Sequence, residues 1–424
     1  MTALPSVLHI CHNDNSGGAA MAAYNIHRAL LAAGSTSRML VHRKLTTDST
    51  VQTVRSANRF ILQATREHLS RRIMRKQHSM NPVLHSLNLF PSGYLKHIRR
   101  FSGCVVNLHW LGNETISIAE ISRIDKPVIW TLHDMWAMCG AEHYDDPLRP
   151  GRFMRGYYSN TRHPDHKGWD IDRWMWERKR RHLADKPLIF VAPSRWMANC
   201  VRQSQIFGRH RIEVIPYSLD RSRFRPIDRR AARQLLGIDP DRRVIVFGAL
   251  YGTRDRRKGF HLLETALHQL VDAGWGETTD LLVFGMSAPR DPPALGMRVH
   301  FTGHLSDDIS LSVVYSAGDV MVVPSVIENL AQTALEAMAC GTPVVAFDGT
   351  GTSDIVDHEV NGYLARPNYT EDLRDGIAWV VSDADRHRGL SVAARKKIER
   401  AFSPRVVAQR YLDLYADAQA NKIE

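Results

Sequence analysis

Two glutamates eight residues apart, Glu328 and Glu336, flank the opening of an expected helix in the stretch Asp319 to Phe347, which reads DVMVVPSVIENLAQTALEAMACGTPVVAF. The apolar run before Pro324 predicts a strand. The pattern after it predicts a helix from about Asn329 or Leu330 to Cys340, stopped by Gly341 in the left-handed conformation and by Pro343 beyond it. A helix that opens at the carboxyl end of a parallel strand presents unsatisfied N–H groups and partial positive charge where open α/β sheets bind ligands. The N–H groups of Asn329, Leu330 and Ala331 then suit a diphosphate. Glu336, two turns in, suits the paired hydroxyls of a ribose, and Glu328, ahead of the helix, suits the hydroxyls of a sugar. Residue chemistry alone favours the plainer reading, Glu328 as a helix cap and Glu336 as a solvated helix glutamate.

Two further segments carry groups of the right kind. Ser16-Gly17-Gly18-Ala19-Ala20 follows the first apolar run and opens a helix from about Ala19, so its backbone can approach a ligand with no Cβ in the way. The spacing is not that of the dinucleotide fingerprint GxGxxG, and a plain tight turn fits as well. Val128-Ile-Trp-Thr-Leu-His-Asp-Met-Trp136 reads as a buried strand ending in His133 and Asp134. A lone histidine is often structural; the strand-end position and the adjacent acid favour a functional one.

The elements that must position these groups alternate along the whole chain. Short runs rich in Val, Ile and Leu, separated by helical patterns, predict parallel sheets with crossover helices. In the first half they are Val7–Cys11, Met39–His42, Val105–His109, Val128–Leu132, Leu188–Ala192 and Val214–Pro216. In the second they are Val244–Gly248, Leu281–Phe284, Val299–Phe301, Val320–Val323 and Val344–Phe347. Two sheets of about five or six strands follow, with a seam near Tyr217 to Asp228. Residues 140–175 show no period and read as a long ordered insertion or lid.

The 424 residues carry a formal charge of +12, unevenly spread: 34 basic against 17 acidic residues over 1–225, and 22 against 27 over 226–424. Arg55 to Arg100 holds ten basic residues and the single acid Glu67, interleaved with Phe60, Ile61, Leu62, Leu69, Ile73 and Met74. This is either a basic amphipathic helix at an anionic membrane surface or a solvated helix whose apolar stripe packs on its own domain. No nucleic-acid recognition module accompanies the charge. Without a membrane-spanning run or a signal-peptide pattern, a cytoplasmic protein is expected. The five cysteines, Cys11, Cys104, Cys139, Cys200 and Cys340, form no CxxC pair and predict reduced thiols.

Glu328-Asn-Leu-Ala-Gln-Thr-Ala-Leu-Glu336, followed by Ala-Met-Ala-Cys-Gly-Thr-Pro-Val-Val-Ala, resembles the E-x7-E motif of family 4 retaining glycosyltransferases of the GT-B fold. Gly351 to Leu364 is similar to that family's next segment, and Val214-Ile-Pro-Tyr-Ser-Leu-Asp220 resembles the strand and turn before its interdomain linker. The resemblance is dense over about 210–370 and patchier before it. It implies an α/β protein of two Rossmann-like domains facing across a cleft. Residues 1–218 would form the acceptor domain and 219–401 the donor domain, with a last helix near 402–420 crossing back.

The resemblance also implies roles. Lys258, in Arg254-Asp-Arg-Arg-Lys-Gly259, would neutralise the phosphates beside an arginine, with Arg254, Arg256 and Arg257 as candidates and Arg256 chosen; the glycine that usually precedes that arginine falls at about Gly252. Glu328 and His133 would orient the transferred sugar, and the Gly17–Gly18 loop and Asp134 would face the reaction from the acceptor side. Transfer would proceed without a protein nucleophile, a departing phosphate oxygen taking the acceptor's proton. No cofactor or metal is expected: relatives often carry several cysteines after the histidine, whereas Cys139 stands alone. The implied partners are a UDP- or GDP-sugar and a glycan or polyprenyl-linked acceptor, in exopolysaccharide or lipopolysaccharide assembly at the inner membrane face. The rival readings are a nucleotide-sugar 2-epimerase of similar architecture, which the E-x7-E match disfavours, and a catalytically silent subunit of a polysaccharide assembly complex.

Overall fold

Burial on both faces is what the continuous apolar runs demand, and the strands that carry them are covered on each side. Every position of Cys104–Leu108, Val128–Thr131 and Thr279–Phe284 is buried. The computed structural model describes residues 4–54, 59–146, 149–248, 255–305 and 307–420, without the side chains of Arg59 and Phe60. The chain divides into two compact units, Met1–Ser218 with Val407–Glu424, and Leu219–Val406.

The first unit contains a seven-stranded parallel sheet in the order Val51–Thr53, Ser37–Arg43, Ser6–Asn13, Cys104–Leu108, Val128–Thr131, Leu188–Ala192, Arg211–Val214. The second has six parallel strands in the order Arg298–Phe301, Thr279–Phe284, Arg243–Gly248, Val320–Val323, Val344–Phe347, Gly362–Ala365. Each expected run meets a strand, though Val214–Pro216 only at Val214 of Arg211–Val214; two strands are added to these sheets, and Gln77–His78 pairs antiparallel with Lys167–Gly168 outside them. Val51–Thr53 is an edge strand too short to show a period, and Gly362–Ala365 has only partly buried residues at its centre. The last strand of the first sheet ends at Val214 rather than Pro216, since proline has no N–H for the ladder.

The helix Pro404–Ala420 belongs to the first unit from Val407 on. Its Val407, Tyr411, Leu412 and Tyr415 pack with Val7, Ile26, Val105 and Ile129. Asn107 Nδ2 donates to the Tyr415 hydroxyl at 2.7 Å, and Tyr411 and Thr131 bond through their hydroxyls at 3.2 Å. The described residues of 140–175 include the short helix Arg152–Arg155, a tight turn at Ser159–Thr161 and the start of the helix Ile171–Leu183. Phe153 and Tyr157 lie in the same apolar cluster as Trp130 and Phe190, so the insertion is part of the core rather than a cover over it.

The basic segment forms the helix Arg59–Met74 and the short helix Tyr94–Ile98. Ile73 and Met74 pack on the core, but Ile61, Leu62 and Leu69 are 69%, 55% and 39% exposed, and the face turned inward carries the polar Gln63 and Ser70. Arg55 and the side chains of Arg59 and Phe60 lie outside the described residues. Among the described residues no helix is long and apolar enough to cross a membrane. All five cysteines are free and buried.

Asn107 and Tyr415 are both fully buried. Tyr415→Phe leaves the Asn107 amide without that acceptor and is expected to cost about 1–3 kcal/mol, read as a lower urea midpoint for the first unit.

Candidate functional site

Pro324, at the end of the strand Val320–Val323, begins a lead-in that brings Glu328 against a tight turn at Arg256–Lys258. Asp255 caps that turn, accepting from Arg257 N at 3.0 Å, and Gly259 closes it at φ +72°. A Cβ on Gly259 would overlap the Pro324 carbonyl oxygen, so only glycine lets the two loops approach. Arg257 O accepts from Val326 N at 2.9 Å, and Glu328 O accepts from Gly351 N at 2.8 Å. The result is a short ion pair: Lys258 Nζ lies 2.5 Å from Glu328 Oε2, with Arg257 Nη1 at 3.9 Å from the same oxygen. Burial alone would raise the Glu328 carboxyl, but Lys258 and then Arg257 outweigh it and hold the group below its ordinary range.

Arg257 is thus the arginine brought to Glu328, whereas Arg256 faces solvent. Gly252 and Arg254 lie outside the described residues. The helix begins at Gln332 and runs to Ala339, later than the expected start at Asn329 or Leu330. Asn329, Leu330 and Ala331 are buried in the lead-in, with Ala331 extended and its carbonyl accepting from Ala334 and Leu335. Ala331 stays extended, at φ −70° and ψ 110°, so the helix opens only after it, and Asn329 N donates to Glu328 Oε1 at 3.2 Å. First-turn N–H groups therefore belong to Gln332 and Thr333. Gly341 ends the helix at φ +85° as expected, with Gly341 N and Thr342 N bonded to the carbonyls of Met338 and Ala337.

Glu336 is buried, not solvated, and its Oε2 accepts from the Tyr315 hydroxyl at 2.6 Å. Burial pushes this carboxyl up to about 7, the Tyr315 bond offsetting it only in part. Nothing in the sequence around Tyr315 announces this partner.

In the first unit, His133 sits just beyond the strand Val128–Thr131 with both ring nitrogens engaged. Nδ1 meets the Tyr217 hydroxyl at 3.1 Å and Nε2 meets His109 Nδ1 at 3.0 Å; His109 Nε2 in turn meets His9 Nδ1 at 2.8 Å. Burial pulls His133 down to about 4 and takes His9 and His109 well below their usual value, so the row is neutral at physiological pH. His133 can contact a ligand through nitrogen only by giving up one of these bonds. Asp134 accepts from Trp136 N at 2.9 Å and lies 2.6 Å from His143 Nδ1. Burial opposes its charge, but His143 overrides that and keeps it low. Gly17, at φ +82°, precedes a helix that starts at Gly18, and a Cβ built on Gly17 meets nothing, so backbone conformation rather than space selects glycine.

The sequence profile described as Glycosyltransferase Family 4 matches residues 16–223, and that described as Glycosyl transferases group 1 matches residues 241–383. A D-inositol 3-phosphate glycosyltransferase of Nocardia farcinica is 32% identical over 232 residues, which are 50% of this chain and 50% of that protein. The chain spans about half the length of the curated relatives it matches. Sucrose-phosphate synthase from Thermosynechococcus elongatus superposes with a TM-score of 0.70 at 21% identity, covering 98% of this chain and 100% of that one. HepE of Anabaena in complex with UDP-glucose gives 0.64 at 16%, covering 97% and 99%. These structures share the two Rossmann-like units of the GT-B architecture.

Gly259→Ala is expected to force the Arg256–Lys258 turn off Pro324 and part Lys258 from Glu328. The check is chemical-shift or crystallographic displacement of the turn, with a loss of at least about 1 kcal/mol in unfolding free energy. From the profiles that match its two halves and the relatives that share its sequence, the chain belongs to the family 4, group 1 glycosyltransferases.

Proposed function

We propose that the chain moves a sugar from a UDP- or GDP-sugar to a glycan or polyprenyl-linked glycan, with retention of configuration and without a metal, in exopolysaccharide or lipopolysaccharide assembly. The observation that carries this reading is the contact of Lys258 with Glu328, flanked by Arg257, beside a helix start at the end of a parallel strand. The UDP-glucose held by the Anabaena protein of the same fold supports a nucleotide-sugar donor.

In this reading donor binding exchanges one set of bonds for another. Lys258 and Arg257 turn from Glu328 to the diphosphate, the first turn of the helix Gln332–Ala339 adds its N–H groups, and Glu328 takes sugar hydroxyls in place of Lys258. The bond from the anomeric carbon to the β-phosphate oxygen breaks as the acceptor hydroxyl attacks from the same face. The acceptor's proton passes to the departing phosphate oxygen, so no side chain need act as base. Glu336 accepts the ribose hydroxyls through its remaining oxygen, and the unit carrying the Gly17–Gly18 loop, His133 and Asp134 receives the acceptor.

The exposed Ile61, Leu62 and Leu69, with the exposed Arg71 and Arg72 beside them, would rest this unit on an anionic membrane where a lipid-linked acceptor resides. Sedimentation with vesicles is expected to show binding that rises with anionic lipid and falls on Ile61→Ser with Leu62→Ser. Binding indifferent to both would remove the membrane from the proposal.

Glu328→Gln frees Lys258, so UDP or GDP alone should bind at least as tightly as before while sugar transfer falls by about 100-fold. Lys258→Ala should weaken both. Near-normal transfer by Glu328→Gln would take Glu328 out of the site, and a product epimerised at C2 would favour the rival enzyme.

The raised Glu336 carboxyl gives a sign. Ribose hydroxyls donate to the carboxylate, so nucleotide binding near pH 7 releases a proton and affinity rises with pH through about 7. Titration calorimetry in buffers of different ionisation enthalpy should show this release in the wild type and lose it in Glu336→Gln.

A further inference from the structure

The core-packed insertion of the first unit gathers three groups the proposed transfer does not use. His85, Glu142 and Asp172 come from three separate parts of the chain, and each offers one ligand atom within 4.8 Å of the others; this is the one such trio of metal-type donors among the described residues. The backbone holds the first two together: His85 and Glu142 form an antiparallel bridge, flanked by Ser86 N to Ala141 O at 2.8 Å and His143 N to Leu84 O at 2.9 Å.

Each ligand is already oriented. His85 Nδ1 lies 2.7 Å from the Val83 carbonyl, which requires the proton on Nδ1 and leaves a lone pair on Nε2. Asp172 accepts from Gln77 Nε2 at 2.5 Å and Ala141 N at 3.3 Å, and Tyr157 donates its hydroxyl to Glu142 Oε1. Two inward atoms are left over. His85 Nε2 and Glu142 Oε2 are buried with no hydrogen-bond partner, and Glu142 is only 4% exposed. A buried carboxylate oxygen with no donor aimed at it, beside a second carboxylate and an imidazole lone pair, calls for a proton shared with Asp172 or for a cation, and only a cation also meets the imidazole lone pair.

We propose that His85, Glu142 and Asp172 bind a divalent transition-metal ion of the Zn2+ class that staples the insertion to the first unit. One imidazole nitrogen and two carboxylate oxygens are borderline-to-hard donors suited to such an ion. Metal bonds of about 2.1 Å place tetrahedral donors about 3.4 Å apart, and His85 Nε2 already stands 3.7 Å from Asp172 Oδ1. The lone Cys139 takes no part: oxygen and nitrogen donors, not thiols, make the proposed site. The staple also bears on Asp134. His143 follows Glu142 and holds Asp134, while Ser86 follows His85 and bonds His143 Nε2 at 2.8 Å.

The test is equilibrium dialysis of the EDTA-stripped full chain against Zn2+ or Co2+. One equivalent is expected to be retained, with Co2+ showing visible d–d bands and saturation raising the unfolding midpoint by about 5 °C. Glu142→Gln and His85→Gln should each abolish the stoichiometric binding, while His163→Gln with His166→Gln should keep it. Should the first two fail to fold, X-ray absorption of the Zn2+-loaded wild type decides, with a nitrogen and oxygen shell and no sulfur expected. Absence of stoichiometric binding by the wild type, retention in Glu142→Gln, or a sulfur shell would overturn the proposal and leave the two carboxylates sharing a proton.

Discussion

A carboxylate taken out of water must be met by a cation or by enough donors to replace its hydration, and Glu328 stands under that requirement. Lys258 and Arg257 answer it from a turn that is sequentially remote, so two loops of the second unit are locked to each other by charge. The remaining local features serve the same contact: Asp255 caps the turn, Gly259 permits the approach to Pro324, and Gly351 fastens the Glu328 carbonyl. The parallel sheet sets the stage by ending the strand Val320–Val323 beside the turn after Arg243–Gly248, its neighbour in the ladder.

The architecture was legible because parallel strands buried on both faces leave an unbroken apolar signature, and because Gly341 and Pro343 punctuate their helix as backbone sterics require. Short edge strands such as Val51–Thr53 leave no such signature. The helix start was misplaced because periodicity cannot register that the backbone stays extended through Ala331. Arg257 stood in plain view beside Lys258, but Arg256 and Arg257 leave the tight turn in different directions, and only the turn geometry brings Arg257 to Glu328. Tyr315, Tyr217 and His9 were out of reach because their bonds join residues distant in the chain.

For the helix Arg59–Met74 the sequence left two orientations open, and polar contacts decide between them. Its composition is amphipathic, but Gln63 finds the Asn113 carbonyl at 2.7 Å and Ser70 finds Glu114 at 2.6 Å. These polar contacts claim the inward face, and three apolar side chains are left outside. Hydrophobic pattern predicts the buried side only when the interior offers no better use for polar groups.

The row of His9, His109, His133 and Tyr217 behaves as a single two-position element. A neutral imidazole has one proton to give and one lone pair to receive, so fixing the tautomer of any ring dictates that of the others. The hydrogens point either all toward Tyr217 or all toward His9, and a lone reversal would set two protons or two lone pairs against each other inside the sheet. Whatever disturbs the Tyr217 end is therefore registered at the sheet's interior as a change of tautomer, with no atom heavier than hydrogen required to move.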